Sequence, residues 1–235
     1  MNNINIVIIG QNEGGSIESM LSSLSRYSYR RVWVLDRCTD NSEEVLKSAN
    51  EFYVTTPNHL VGRQTSFARN LGVSYCDKDS DIIFLDGDRY IIEGDLELAA
   101  SSFHKDATYF MLEKDVRTEK IFKESYGGIY NKCYSCGLYL KRQVIDKLLE
   151  VYGEIFPEEL QMHWGIEDTG LGDRLFYNGF SAELTSLIKL RGQLSKLELD
   201  DITHLIPRLK FREGLIINKN KTMGDLKEKT FTEGK

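Results

Sequence analysis

The chain has 235 residues, of which 41% are hydrophobic and 28% are charged, a balance typical of a soluble globular protein with one sizeable core. Its net charge of −6 argues against a protein whose whole surface binds a polyanion. We therefore expect a single domain over residues 1–235.

The first half alternates strand and helix patterns. The predicted elements are a strand at 4–9, a helix behind Gly14-Gly15-Ser16 with Ser16 as its N-cap, a strand at 31–35, a helix opened by Asn41-Ser42-Glu43-Glu44, a strand at 52–55, a helix at 62–75 with Phe67, Leu71 and Tyr75 on one face, and a strand at 81–85. The amino terminus lacks a basic leader, and its apolar run is too short for a signal sequence or a membrane span. We therefore expect a cytoplasmic protein without a membrane span.

Strands separated by helices of this length predict βαβ units and a mostly parallel sheet flanked by helices. In such a sheet, ligands bind beyond the carboxyl ends of the strands. The polar residues predicted at those ends are Asn12, Glu13, Asp36, Asp86 and Asp88.

The second half is less regular. The predicted elements are a helix at 95–103, strands at 108–113 and 135–140, an amphipathic helix at 142–152, and a helix through Leu171, Leu175 and Phe176 that ends at Asn178-Gly179. Glu167 and Asp168 fall at the amino end of this last helix, where carboxylates either stabilise the helix or belong to a site.

The cysteines and the carboxyl-terminal residues give weaker signals. Cys133-x-x-Cys136 has no second Cys or His pair, so a reduced, half-buried pair is favoured over a zinc or redox site.

Residues 205–235 hold eight basic and four acidic side chains, which make a basic end on an acidic body. This end is either a solvated tail or an anion-binding segment.

Asp86-Gly87-Asp88 directly follows the apolar run at 82–85. Two carboxylates spaced i, i+2 at the end of a strand can form a hard-oxygen site for a divalent cation, which can in turn hold a diphosphate. The same pattern also occurs in solvated turns, so its surroundings decide its meaning.

Taken together, five ordered motifs over residues 4–204 resemble the nucleotide-sugar glycosyltransferases of the GT-A fold, in particular family 2 and its relatives. The motifs are Ile6-Val7-Ile8-Ile9-Gly10-Gln11-Asn12-Glu13, the segment from Val34-Leu35-Asp36 to Ser42, Gly62 with Ala68-Arg69-Asn70-Leu71-Gly72, Asp86-Gly87-Asp88, and the pair of Gly137-Leu138-Tyr139-Leu140 and Trp164-Gly165-Ile166-Glu167-Asp168. The last pair is similar to acceptor-side segments of β-1,4-galactosyltransferases and bacterial polysaccharide polymerases. The resemblance implies a Rossmann-like sheet with a smaller acceptor-side subregion.

The resemblance also implies the donor and its contacts. Donor-binding residues would be Asn12, Glu13, Asp36, Arg69, Asp86, Gly87 and Asp88. Leu35 stands where the family usually has the first Asp of an Asp-Asp pair, and Arg37-Cys38 replace Gly-Ser. Uridine is the default inference for the base, so the expected donor is a UDP-sugar.

A departing diphosphate needs charge neutralisation, which Mn²⁺ or Mg²⁺ on Asp88, with Asp86 nearby, would supply. By resemblance, a third ligand is a late histidine; His204 is either this ligand or an ordinary polar surface residue. The resemblance further implies Asp168 as the catalytic base of an inverting transfer, and Glu167 as a ligand of acceptor or donor hydroxyls.

Gly137, Trp164 and Gly165 are the other expected substrate contacts, with Trp164 either stacking on a sugar or packing in the core. The acceptor is expected to be a saccharide or another hydroxyl compound.

Segment 205–222 follows His204, and in related enzymes a loop at this place closes over the donor. Arg208, Lys210 and Arg212 are therefore expected substrate contacts, unless the segment is a permanently packed helix.

Three alternatives remain open. A sugar-nucleotide nucleotidyltransferase should have a basic, Gly-rich loop near its amino terminus, but no Lys or Arg follows Gly14-Gly15 before Arg26. A non-catalytic sugar-binding relative should have lost the carboxylates that this chain keeps. The basic end could instead guide DNA with hydroxymethylated bases as the acceptor, although the acidic body weighs against this.

Overall fold

The sheet is built around β1 (Ile4–Gly10), whose run of apolar residues is buried on both faces. The structure, a computed structural model, describes residues 3–58, 62, 64–112, 135–160 and 166–192. The other strands are β2 (Arg30–Leu35), β3 (Tyr53–Thr55), β4 (Asp81–Asp86), β5 (Arg89–Glu93), β6 (Ala107–Leu112), β7 (Gly137–Leu140) and β8 (Ala182–Gly192).

Six α-helices of the described residues flank this sheet. They are α1 (Gly14–Leu24), α2 (Ser42–Ser48), α3 (Thr65–Ser74), α4 (Leu96–Ser102), α5 (Arg142–Tyr152) and α6 (Ile166–Tyr177). A short 3-10 turn, Glu158–Leu160, precedes α6. The helix predicted at 142–152 is confirmed at both ends, because its apolar stripe and Gly153 in the left-handed conformation define it clearly.

The sheet is mixed, in the order β3-β2-β1-β4-β7-β6-β8-β5. The first four strands, β1 to β4, are parallel, as the βαβ pattern predicted. β7 is antiparallel to both β4 and β6, β8 is parallel to β6, and β5 is antiparallel to β8. The sheet is thus a parallel part, β3-β2-β1-β4, extended by the less regular part β7-β6-β8-β5.

Alternate residues of the central strands supply two separate cores. Ile6 and Ile8 of β1 pack with α1, α2 and α4 on one face of the sheet. Val7 and Ile9 pack with α3, α5 and α6 on the other. This two-residue period follows from the pleat, and it explains why the strands read as unbroken apolar runs.

The start of α1 differs from the sequence prediction. Ser16 is not the N-cap, because the helix begins at Gly14 and the Ser16 hydroxyl donates to the Glu13 carbonyl at 3.0 Å. The amide of Gly14 donates to Asp40 Oδ2 at 2.9 Å, and the amide of Glu13 donates to Ser42 Oγ at 3.0 Å. A side chain of the β2–α2 loop and the first side chain of α2 therefore cap α1.

The buried face of α3 also differs from the apolar pattern of its sequence. Tyr75 is 42% exposed, whereas Ala68, Arg69 and Gly72 face the protein interior. A Cβ atom on Gly72 would lie 2.4 Å from Val7 Cγ1, so α3 lies against β1 at a distance that only glycine permits. This close contact fixes the position of Arg69.

Strands β5 and β8 were not predicted. β5 buries only Ile91, and β8 has an irregular burial pattern with register shifts against both neighbours, so neither has a regular two-residue period. The described residues lie within one compact unit, Met1–Gln193. No helix of the described residues is long and apolar enough to span a membrane.

Candidate active site

Asp86 and Asp88 lie where β4 ends, next to the loops that follow β1 and β2. The Gly87 amide between them donates to the Ile9 carbonyl at 2.7 Å. A Cβ on Gly87 would lie 3.2 Å from that carbonyl oxygen and 3.3 Å from Glu13 Cγ, so the turn is held closely beneath Glu13. The side chains of Asp86 and Asp88 remain 32% and 26% exposed. Both carboxylates are therefore accessible at the edge where a parallel sheet binds ligands.

Arg69 connects Asp86 to the start of α6. Its Nη2 donates to Asp86 Oδ1 at 2.9 Å, and its Nη1 lies 3.9 Å from Asp168 Oδ1. The guanidinium carbon lies 5.2 Å from the centre of the Phe156 ring. The side chain of Arg69 is only 4% exposed, so these interactions take place away from bulk water.

Glu167 and Asp168 occupy the first turn of α6, where Glu167 is buried and the side chain of Asp168 is 14% exposed. Thr65 donates its hydroxyl to Glu167 Oε1 at 3.3 Å. Asp168 Oδ1 accepts from the Ser135 hydroxyl and, at 3.3 Å, from the Ser135 amide. α3, α6 and the residues before β7 thus converge on one acidic cluster.

The electrostatics of this cluster follow from burial. Desolvation, reinforced by the charge of Asp168, raises the pKa of Glu167 to about 7. Desolvation also raises the pKa of Asp168, while Arg69 and the Ser135 hydroxyl oppose the rise. Both carboxyl groups therefore hold protons more strongly than exposed carboxyls do, as proton acceptors near neutral pH require. Burial raises the pKa of the adjacent Cys136 thiol well above its usual range, so it stays protonated.

A second polar cluster surrounds Asp36, which follows β2. Arg37 donates Nε to Asp36 Oδ1 at 2.7 Å and Nη2 to Oδ2 at 2.9 Å. Thr56 donates its hydroxyl to Asp36 Oδ1 at 2.7 Å, and Arg37 Nη2 also reaches the Gly62 carbonyl at 2.5 Å. Arg37 has a φ of 49°, in the left-handed region that favours glycine, at a position where the sequence resemblance implies glycine.

Asn12 and Glu13 join the loops after β1 and β2. The side-chain oxygen Oδ1 of Asn12 accepts a hydrogen bond from the backbone amide of Thr39 at 2.7 Å. The backbone amide of Asn12 donates to Cys38 Sγ at 3.3 Å. Burial, with a further contribution from the charge of Asp86, raises the pKa of Glu13. Glu13 therefore belongs to the same electrostatic environment as Asp86.

Asp86 and Asp88 are suited to bind a divalent cation whose other ligands come from the substrate and from water. No group of three or more His, Cys, Asp or Glu side chains within these residues is arranged to hold a metal by itself. Asp86 and Asp88 are nonetheless accessible hard-oxygen donors, and Mg²⁺ is typically bound by one or two carboxylates plus substrate phosphates and water. Arg89 Nε, 3.4 Å from Asp88 Oδ1, would have to share that carboxylate with the cation.

The structure brings many of the expected site residues together. Arg69, Asp86, Glu167 and Asp168 form one cluster, with Glu13, Gly87 and Asp88 beside it. Gly137 has a packing role, because a Cβ there would lie 2.5 Å from Leu190 Cδ1 and 3.1 Å from Phe110 Cβ. The expected residues that lie outside the described residues are Trp164, Gly165, His204, Arg208, Lys210 and Arg212.

Sequence reasoning missed several members of the site. Arg89 could have been found, because it directly follows Asp88. Thr65, Ser135 and Thr56 carry no signal in the sequence, since only the folded chain brings them to Glu167, Asp168 and Asp36.

Comparison with known proteins identifies the family. Residues 5–151, more than half of the chain, match the family model described as "Glycosyl transferase family 2". No curated protein sequence matches the chain significantly.

Among solved structures, residues 1–349 of S. aureus TarS align with a TM-score of 0.66 and 17% identity, over 96% of this chain and 68% of that one. Glucosyl-3-phosphoglycerate synthase from Mycobacterium tuberculosis, in complex with Mn²⁺, UDP and phosphoglyceric acid, aligns with a TM-score of 0.60 and 15% identity, over 88% of this chain and 78% of that one. These likenesses agree with the GT-A fold, and the family match shows that the chain is a glycosyltransferase that belongs to glycosyl transferase family 2.

Proposed function

We propose that the chain is a metal-dependent, inverting glycosyltransferase that moves a sugar from a nucleotide diphosphate sugar to a hydroxyl acceptor. The observation that carries this proposal is the pairing of Arg69 with both Asp86 and Asp168. This pairing brings an accessible carboxylate at the end of β4 close to a less exposed carboxylate on α6. With a divalent cation on the first carboxylate, such a site could bind a diphosphate next to a group that accepts a proton.

On the donor side, Asp88 and Asp86 would hold Mn²⁺ or Mg²⁺. The cation, when bound, supplies the positive charge that stabilises a departing diphosphate. A UDP-sugar is the proposed donor, and the complexes of glucosyl-3-phosphoglycerate synthase with UDP and Mn²⁺ or Mg²⁺ support it. Asp36, with Arg37 and Thr56 bound to it, is the proposed contact for the nucleoside.

On the acceptor side, Asp168 is the proposed general base. It would take the proton of the acceptor hydroxyl as the oxygen attacks the anomeric carbon, and its raised pKa suits that role. Ser135 keeps the carboxylate oriented through two hydrogen bonds. Glu167, with a pKa of about 7, could either donate to or accept from a sugar hydroxyl near neutral pH, and a saccharide is the proposed acceptor.

One base and one displacement predict inversion at the anomeric carbon. The test is NMR of the product formed from an α-linked donor, in which a β-linked anomer is expected. A retained α-anomer would contradict the mechanism without contradicting transfer itself.

The donor is tested by incubating the purified protein and Mn²⁺ with a panel of sugar nucleotides and identifying the released product. Release of UDP from one UDP-sugar, abolished by EDTA, is expected. Release of pyrophosphate from a nucleoside triphosphate would instead indicate a nucleotidyltransferase, and binding without turnover in the presence of saccharide acceptors would indicate a non-catalytic relative. The comparisons give no support to a DNA acceptor, and we do not propose one.

A further inference from the structure

Arg69 is a buried cation shared among carboxylates from two sides of the site. Asp86 at the end of β4 and Glu167 and Asp168 in the first turn of α6 all interact electrostatically with its guanidinium. The residue itself is 3% exposed. A single guanidinium therefore balances three carboxyl groups, and its position affects each of them.

The contacts of Arg69 are unequal. Nη2 has a hydrogen bond of 2.9 Å to Asp86, whereas the 3.9 Å between Nη1 and Asp168 is too long for one. Within the described residues, Nε and Nη1 are buried without a hydrogen-bond partner. Leaving buried donors unpaired is energetically costly. The guanidinium can therefore gain free energy from a further hydrogen bond, and Asp168 is the carboxylate near Nη1.

The backbone that carries Arg69 is fixed. Gly72, one turn later in α3, is packed against Val7 and Val34. The Phe156 ring lies beside the guanidinium. A change of partner must therefore come from the side chain, and a movement of about 1 Å would bring Nη1 into hydrogen-bond range of Asp168.

We propose that Arg69 is a positioning residue that couples the donor side of the site to the acceptor side, because a cation bound at Asp86 releases the guanidinium to Asp168. This inference rests on the proposed function, since it assumes that Asp86 receives a divalent cation. The cation and Nη2 compete for the same carboxylate. When the cation is bound, Asp168 gains the contact that Asp86 loses, so that the candidate base is fully oriented only when the donor side is occupied.

The experiment is a double-mutant cycle read by Mn²⁺ binding, measured by calorimetry and electron paramagnetic resonance on nucleotide-free protein. Asp168→Asn should weaken Mn²⁺ binding about fivefold or more in the wild-type background, because the released guanidinium then gains a weaker partner. In the Arg69→Gln background the same substitution should change Mn²⁺ binding by less than about twofold. An equal loss in both backgrounds, or no loss in either, would overturn the coupling.

Three further variants serve as controls for this experiment. Arg69→Lys keeps the charge but lacks the fork that can serve two carboxylates, so it should also abolish the effect of Asp168→Asn if Arg69→Gln does not fold. The matched control is the exposed pair Arg142 and Asp146 on α5, where Arg142→Gln and Asp146→Asn should leave Mn²⁺ binding unchanged. If the wild type binds no Mn²⁺, the metal-dependent function fails together with this inference, whereas Mn²⁺ binding without coupling contradicts the inference alone.

Discussion

At the scale of single residues, the site depends on buried carboxyl groups whose proton affinity is set by their surroundings. Glu167 and Asp168 are adjacent in sequence, but they have different partners in Thr65 and Ser135. Their pKa values rise because α6 buries them, and Arg69 limits the rise. Two predictions follow from this difference between neighbouring side chains.

Asp168→Asn should lower kcat by roughly two to four orders of magnitude, the usual contribution of a general base. At saturating Mn²⁺, KM for the donor should change little, because the proposed role of Asp168 is to take a proton from the acceptor hydroxyl and not to bind the donor. Steady-state kinetics measures both quantities. Asp146→Asn, an exposed carboxylate on α5, is the control, and a kcat within threefold of the wild type for Asp168→Asn would rule out the proposed base.

Glu167 should make the protein less stable as the pH rises. Its pKa is about 7 in the folded protein against 4.5 for an ordinary glutamate, so between these values the folded state holds a proton that the unfolded chain has released. The free energy of unfolding should therefore fall from about pH 5 to about pH 8, by at most about 3 kcal/mol from this group.

Urea unfolding at both pH values measures the effect. Glu167→Gln should remove most of this pH dependence, with a remainder due to Asp168. An unchanged pH dependence in the variant would show that Glu167 is ionised in the folded protein.

At the scale of elements, the distance between α3 and the sheet positions the site. Gly72→Ala would place a Cβ 2.4 Å from Val7 Cγ1 and 3.2 Å from Val34 Cγ2. We expect a net loss of roughly 1–2 kcal/mol in the free energy of unfolding, because overpacking outweighs the better helix propensity of alanine. Transfer activity should also fall, since the same shift moves Arg69.

Gly15→Ala is the matched control for this prediction. Gly15 lies in α1, and a Cβ there would have no atom within 4 Å. This substitution should leave stability unchanged or raise it by up to about 1 kcal/mol. Equal effects at Gly15 and Gly72 in chemical denaturation would mean that the approach of α3 to β1 is not tightly constrained.

At the scale of the whole molecule, ligand binding should stabilise the fold by mass action. UDP with Mn²⁺ at about 100 times the dissociation constant should add about 2.7 kcal/mol, which corresponds to roughly 5–10 °C in Tm for a chain of this size. Differential scanning fluorimetry measures the shift. EDTA should abolish it, and Asp88→Asn should reduce it strongly while leaving the Tm of the free protein near that of the wild type. A full shift in Asp88→Asn would exclude this carboxylate as a metal ligand.

Much of the parallel half of the fold could be predicted from sequence. Apolar runs there are local signals, and strands joined by helices pair in parallel for steric reasons. The position of Asp86 and Asp88 follows directly from the end of β4. The rest of the sheet was harder to predict from sequence. β5 and β8 have irregular burial patterns, and they pair with strands that are distant in sequence.

The sequence by itself determined the family motifs, the alternation of strands and helices in the first half, and the carboxylates available for chemistry. Only the tertiary structure decided how those carboxylates are used. It placed Ser135 and Thr65 on Asp168 and Glu167, capped α1 with Asp40 and Ser42, and put Arg69 between Asp86 and Asp168. The physical reason is that motif and periodicity are properties of neighbouring residues, whereas desolvation and charge pairing depend on which distant segments the packed chain brings together.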